Sequence, residues 1–167
     1  MDETLLDRLG AAAAGFEATR QAVEARAPWP LATTFDHSDE ARWGPPEVLA
    51  HVAEMLPYWL GEVERILAGP PDPVPFGRVG TDPVRIAIIG RDRSLPIGEL
   101  YTRVDGGIAR WIDRLRTLTP AQLEKVGLHP RLGEMTVAAI AERQVGRHLA
   151  EHVVQLEELL GGRAAGS

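Results

Sequence analysis

Four long stretches of this chain carry apolar residues at intervals of three and four, the spacing that lines one face of an α-helix and drives that face against other helices. The first runs through Leu5, Leu9, Ala12, Phe16 and Val23, so residues 2–26 are predicted as helix one, with alanines favouring it further. The second takes Val48, His51, Val52, Met55, Trp59, Val63 and Ile66, and begins at Pro45 and Pro46, whose missing amide hydrogens cost little in a first turn. Pro57 lies inside it and is expected to kink the helix near Ala53 or Glu54. The third takes Ile97, Leu100, Tyr101, Val104, Ile108, Trp111, Leu115 and Leu118, weakened at Gly106 and Gly107. The fourth, capped by Thr136, takes Ile140, Ala141, Val145, His148, His152, Leu156 and Leu159, and is expected to end at Gly161 and Gly162.

The intervening segments read as connections. Asp36, Ser38 and Asp39 mark a loop before the second helix. Residues 69–96 are broken by Pro70, Pro71, Pro73, Pro75 and Pro83, leaving one apolar island at 84–89, so a long loop with a short helical turn is expected. A loop of that length either overhangs a binding site or simply crosses between helices. Thr119 and Pro120 open a short capped turn, residues 127–133 read as loop, and no strand-like alternation survives beyond four or five residues. The expected architecture is all-α: an up-down four-helix bundle, with residues 1–162 as one domain and 163–167 as a flexible tail. A chain of 167 residues that is 44% hydrophobic has enough apolar material for one such core.

Charge and composition narrow the partners. The balance of 24 acidic to 18 basic residues, with the basic ones scattered, offers no cationic footprint for nucleic acid or an anionic membrane. The acidic start Met1-Asp2-Glu3 lacks the regions of a secretory signal, and no apolar run approaches the roughly 20 residues of a membrane span, so a cytoplasmic location is expected. With no cysteine, any metal must be held by histidine or carboxylate.

His148 and His152 are four residues apart on one face of the last helix, and His51 sits on the inward stripe of the second. Three imidazoles from facing helices would make a metal site of catalytic type, with a coordination position left open. The alternative is three ordinary buried histidines bonded to backbone or to one another, and on either reading Trp43, Trp59 and Trp111 are core or dimer-interface residues. His37 and His129 lie in loop signals and are weaker candidates. The stretch His148-Leu149-Ala150-Glu151-His152 also fits the H-x-x-E-H peptidase pattern, but few residues follow it to supply a further carboxylate ligand.

Taken together, Trp43-Gly44-Pro45-Pro46-Glu47-Val48-Leu49-Ala50-His51, then Gly133-Glu134-Met135-Thr136-Val137, then the His148–His152 pair followed by Gln155 resemble the DinB-like superfamily. That superfamily includes YfiT-type hydrolases and mycothiol- and bacillithiol-dependent transferases and isomerases. The resemblance implies a divalent metal, zinc or nickel first and iron or manganese after them, held by His51, His148 and His152. It implies hydrolysis or transfer of a low-molecular-weight thiol on a small-molecule substrate, with a non-catalytic binding or stress-response bundle as the alternative, and it allows a homodimer. Many relatives carry aspartate where this chain has Glu54, a departure that counts against carrying over that carboxylate's role: one turn from His51, Glu54 either accepts the other ring N–H of His51 or is a solvated surface residue, while Glu151 is either an acid/base group or a solvated neighbour of the pair.

Overall fold

Along each predicted stripe the side chains are buried: Leu9, Phe16 and Val23 from the first, Met55 and Val63 from the second, Val104, Trp111 and Leu115 from the third, Ile140, Val145 and Leu156 from the last. The computed structural model describes residues 3–33 and 40–164. In chain order it runs α1 (Glu3–Ala25), a 3-10 turn (Glu40–Arg42), α2 (Pro45–Ala68), β1 (Val74–Pro75), α3 (Pro83–Asp92), α4 (Ile97–Thr117), α5 (Pro120–Leu123), β2 (Val126–His129), β3 (Gly133–Thr136), α6 (Val137–Ile140), a π-helical stretch (Ala141–Arg147) and α7 (His148–Ala164). The predicted loop at Asp36, Ser38 and Asp39 lies outside the described residues. No described helix is long and apolar enough to cross a membrane.

Both α1 and α2 pack against α4 and against α7, so the two helices that follow each other in sequence sit across the bundle from one another. The Glu40–Arg42 turn stands just ahead of the first turn of α2, at the end of the bundle where the chain crosses. Glu47 ties this crossing down from the first turn of α2: its fully buried carboxylate accepts from Ala32 N at 2.7 Å and Gly44 N at 3.2 Å, and takes Arg93 at 3.1 Å. Pro45 and Pro46 begin α2 as the sequence predicts, and Thr119 and Thr136 cap their helices through the amides of Gln122 and Ala139. Helix α2 runs through Pro57 as one element, with the Trp111 indole donating to the Leu56 carbonyl at 2.9 Å.

The all-α expectation is overturned by a three-stranded mixed sheet. β1 pairs parallel with β2, Val74 opposite Gly127, and β2 pairs antiparallel with β3, Val126 opposite Thr136 and His129 opposite Gly133. Strands of two and four residues are too short to display alternation, and the glycine at 127, which reads as loop, is demanded by packing: a Cβ there would stand 2.5 Å from Phe76 and 2.6 Å from Ile66. Gly133 closes the hairpin with φ +73, a value that favours glycine. The long loop is also more ordered than expected, since its apolar island is the ten-residue helix α3, capped by Asp82. The last helix does not stop at Gly161 and Gly162 but continues to Ala164.

Adjacent glycines in α4 make a paired prediction. A Cβ on Gly106 meets nothing within 4 Å, so Gly106→Ala should stabilise by about 0.5–1 kcal/mol through helix propensity. A Cβ on Gly107 would stand 2.7 Å from Leu56 Cδ1, so Gly107→Ala should destabilise by about 1–3 kcal/mol through overpacking between α4 and α2. Urea midpoints of the two variants check the signs, and equal shifts would contradict this packing of α4 on α2.

Candidate metal centre

The π-helical stretch adds a wide turn immediately before His148 and changes which residues of the last rod face inward. Leu149 and His152 are buried, whereas His148 lies at the edge of the stripe with 28% of its side chain exposed. Gly146, within the wide turn, lets α1 approach, since a Cβ there would stand 2.9 Å from Leu5. The result is one imidazole deep in the bundle and its partner toward solvent, both on the face that meets α2.

His51 completes the group from α2. Its Nε2 lies 2.9 Å from Nε2 of His148, which lies 3.1 Å from Nε2 of His152. The rings stand edge to face, with centroids 4.5–5.2 Å apart. Trp43 walls the group, edge-on to His51 at 5.5 Å. Glu40 adds a carboxylate that sequence reasoning did not single out. Its oxygens are 3.9 Å from Nε2 of His51 and 3.8 Å from Nε2 of both His148 and His152. Glu40 escaped notice because it lies outside every periodic stripe, in a segment that reads only as loop.

The contacts at Nδ1 of His152 and His148 aim the Nε2 lone pairs of those two rings inward, whereas Nδ1 of His51 faces the Arg85 guanidinium at 3.4 Å. Gln155 donates its amide to the Glu40 carbonyl at 2.6 Å, which turns its oxygen toward Nδ1 of His152 at 2.9 Å. Nδ1 of His152 then carries the proton, and Nε2 presents a lone pair to the centre of the group. Nδ1 of His148 faces the Glu151 carboxylate at 3.5 Å, which favours the same tautomer. Burial holds His51 well below the usual histidine range, helped by the neighbouring charges of His152, Arg85 and His148. Burial also pushes His152 down to about 3, His148 adding to the effect and Gln155 opposing it. Neutral imidazoles are the form a metal takes.

These donors fit a divalent ion on their own chemistry. Three nitrogens so close, with Nε2 of His152 lacking a proton, cannot all be satisfied by hydrogen bonds to one another, and a cation would satisfy them together. Tetrahedral bonds of about 2.0–2.1 Å set donor atoms roughly 3.3–3.4 Å apart, close to the nitrogen spacing found here. His51, His148, His152 and Glu40 could each offer one ligand atom.

The other candidates go elsewhere. Glu54 does not reach His51: its carboxylate binds Arg78 at 2.5 and 2.6 Å, and that guanidinium lies 3.6 Å from the ring centroid of Tyr58. His129 caps the β2–β3 turn, Nδ1 accepting from the amides of Arg131 and Leu132 at 3.1 and 3.2 Å. His37 lies outside the described residues. Trp43, Trp59 and Trp111 are buried in the core. A cavity of about 150 Å³ opens beside the histidines, lined by Glu40, His51, Arg78, Arg85, Gln144 and His148 among others. Arg85, buried in α3, ion-pairs with Glu40 and donates to the Gly80 carbonyl at 2.8 Å.

The comparisons agree with this architecture. The DinB superfamily model matches residues 15–156. YfiT of Bacillus subtilis, provisionally described as a metal-dependent hydrolase with an unusual four-helix bundle topology, shares the fold with a TM-score of 0.69 over 99% of this chain and 90% of its own, at 19% identity. A Bacillus mycoides protein named provisionally as a metal-dependent hydrolase is 37% identical over 71 residues, 41% of this chain and 41% of that relative's own length.

Because His152 takes its proton near 6.5 when unfolded but only near 3 when folded, the unfolded chain binds more protons between those values. Stability of the chelator-treated protein, fully present above about 6.5, should therefore fall as pH drops toward 3. His152→Gln should flatten that slope in urea midpoints measured across the range, and an unchanged slope would contradict the burial of a neutral ring.

Proposed function

The chain belongs to the DinB superfamily, and on that premise we propose that it is a metal-dependent enzyme acting on a small molecule, with His51, His148 and His152 as ligands of one divalent transition metal. The observation that carries this reading is the meeting of three Nε2 atoms from α2 and α7 beside a cavity. Bound there, the ion would polarise a carbonyl and lower the pKa of water toward about 7, or activate a thiol. Hydrolysis is the leading reaction, because the relatives' provisional names point to it, and transfer of a low-molecular-weight thiol is the other chemistry of such a site.

The protein groups prepare that site. Gln155 fixes the tautomer of His152, and Glu151 does so for His148. Buried Leu149 and Leu156 set the rotation of α7, and with it the direction of both rings. Arg78, its charge met by Glu54, and Arg85, its charge met by Glu40, give the cavity a polar wall on the side of α3. Tight packing around His51 and His152 keeps water from the inner side, so substrate enters past the half-exposed His148.

Protein purified without a tag or chelator should carry close to one divalent metal per chain, and His51→Ala and His148→Ala should each lose most of it. Zinc at about 100 times its dissociation constant should stabilise the stripped wild type by about 2.7 kcal/mol and leave His148→Ala unmoved. Assays of ester, amide and thiol-conjugate turnover across zinc, nickel, iron and manganese should show activity that His148→Ala abolishes. Stripped wild type that takes up none of these metals would overturn the proposal, and metal binding without turnover would make the protein a binding module.

A further inference from the structure

Glu40 is the carboxylate that joins the metal centre to Arg85, whose guanidinium also stands 3.4 Å from Nδ1 of His51. Oε1 pairs with Arg85, while Oε2 faces Nε2 of His148 and of His152 at 3.8 Å each. The second basic group of the cavity is arranged differently, because Glu54 neutralises Arg78 from a neighbouring groove and does not line the cavity itself. One Glu40 oxygen and the three Nε2 atoms lie within 4.8 Å of one another, so the carboxylate stands where a ligand atom slightly withdrawn would be.

Resting on the metal site proposed above, we propose that Glu40 is a fourth, exchangeable ligand that closes the site, and that a small-molecule carboxylate opens it by taking the same two contacts, one oxygen on the metal and one on Arg85. The burial of Arg85 makes the exchange specific. Arg85 is 4% exposed, and a buried guanidinium left without an anion is strongly destabilising, so Glu40 departs only when another anion replaces it. The shape of an Arg–carboxylate contact suits a planar carboxylate. Space agrees: a cavity of about 150 Å³ accommodates a carboxylate head group, and the larger groove of about 810 Å³, which shares Arg78 as its wall, has room for the remainder of the molecule. The backbone carbonyl of Glu40 is held by Gln155 at 2.6 Å, so its side chain can leave while the turn and the tautomer of His152 stay in place.

Cobalt(II) reports the coordination shell through its visible absorption, and acetate is the probe for the slot. Cobalt titrations of wild type, Glu40→Ala, Glu40→Gln and Glu40→Ala/Arg85→Met, with and without acetate, make the test, with folding checked by thermal unfolding of the metal-free proteins. Removing Glu40 should weaken cobalt binding at least about tenfold, as loss of even an outer partner does, and change the spectrum. Acetate should restore spectrum and affinity in Glu40→Ala but not when Arg85 is also removed. Unchanged affinity and spectrum in both folded Glu40 variants would overturn the ligand role, and restoration by acetate without Arg85 would overturn the shared slot. Wild type that binds no cobalt would instead remove the three-histidine site on which both rest. If Glu40→Ala does not fold, Glu40→Gln decides by the same spectral change.

Discussion

Nε2 of His148, held 2.9 Å from that of His51 and 3.1 Å from that of His152, forms a contact that hydrogen bonding alone leaves incomplete, and much of this structure is arranged around that contact. Each ring needs its outer nitrogen directed and its inner lone pair freed. Gln155 does this for His152 and Glu151 for His148, while the close packing of Trp43 and His152 fixes the plane of His51, whose outer nitrogen faces Arg85 at 3.4 Å. A scaffold less constrained in the rotation of α2 against α7 would let the rings part and satisfy themselves with water. The fully buried apolar residues on both sides, Val48, Val52 and Met55 on α2 and Leu149 and Leu156 on α7, resist that rotation.

The bundle's connectivity serves the same end. Where α1 and α2 lie across the bundle from each other, the Glu40–Arg42 turn that leads into α2 stands at the end where the histidines meet and holds Glu40 beside them. From the opposite side, the segment between α2 and α4 folds into α3 and places Arg85 on Glu40. Two segments that would otherwise be plain crossings thus build the wall of the centre. The small sheet anchors the second of them, β1 pairing with β2 just ahead of Gly77 and Arg78.

Helical spacing made the four long stripes legible, and with them His51, His148 and His152, because one-face periodicity is a property of adjacent residues in sequence. Capping residues Thr119 and Thr136 were legible for the same local reason. What escaped was built from distant partners or from very short elements. Glu40 acquires meaning only through contacts with residues up to α7, and the carboxylate chosen instead, Glu54, is drawn away by Arg78 from the next loop. Strands of two and four residues left no pattern to detect, and the π-helical turn before His148 moved that ring to the rim of a stripe on which straight helical spacing had placed it fully inward. Membership in the DinB superfamily supplies the frame in which these departures stand out.

The central claim is that these three rings share one divalent ion, and anomalous diffraction collected at the absorption edge of zinc or nickel from metal-loaded crystals tests it most directly. A single peak about 2.0–2.1 Å from Nε2 of His51, His148 and His152 is the predicted result. A peak elsewhere in the molecule, or full metal loading with no density between the three rings, would contradict it.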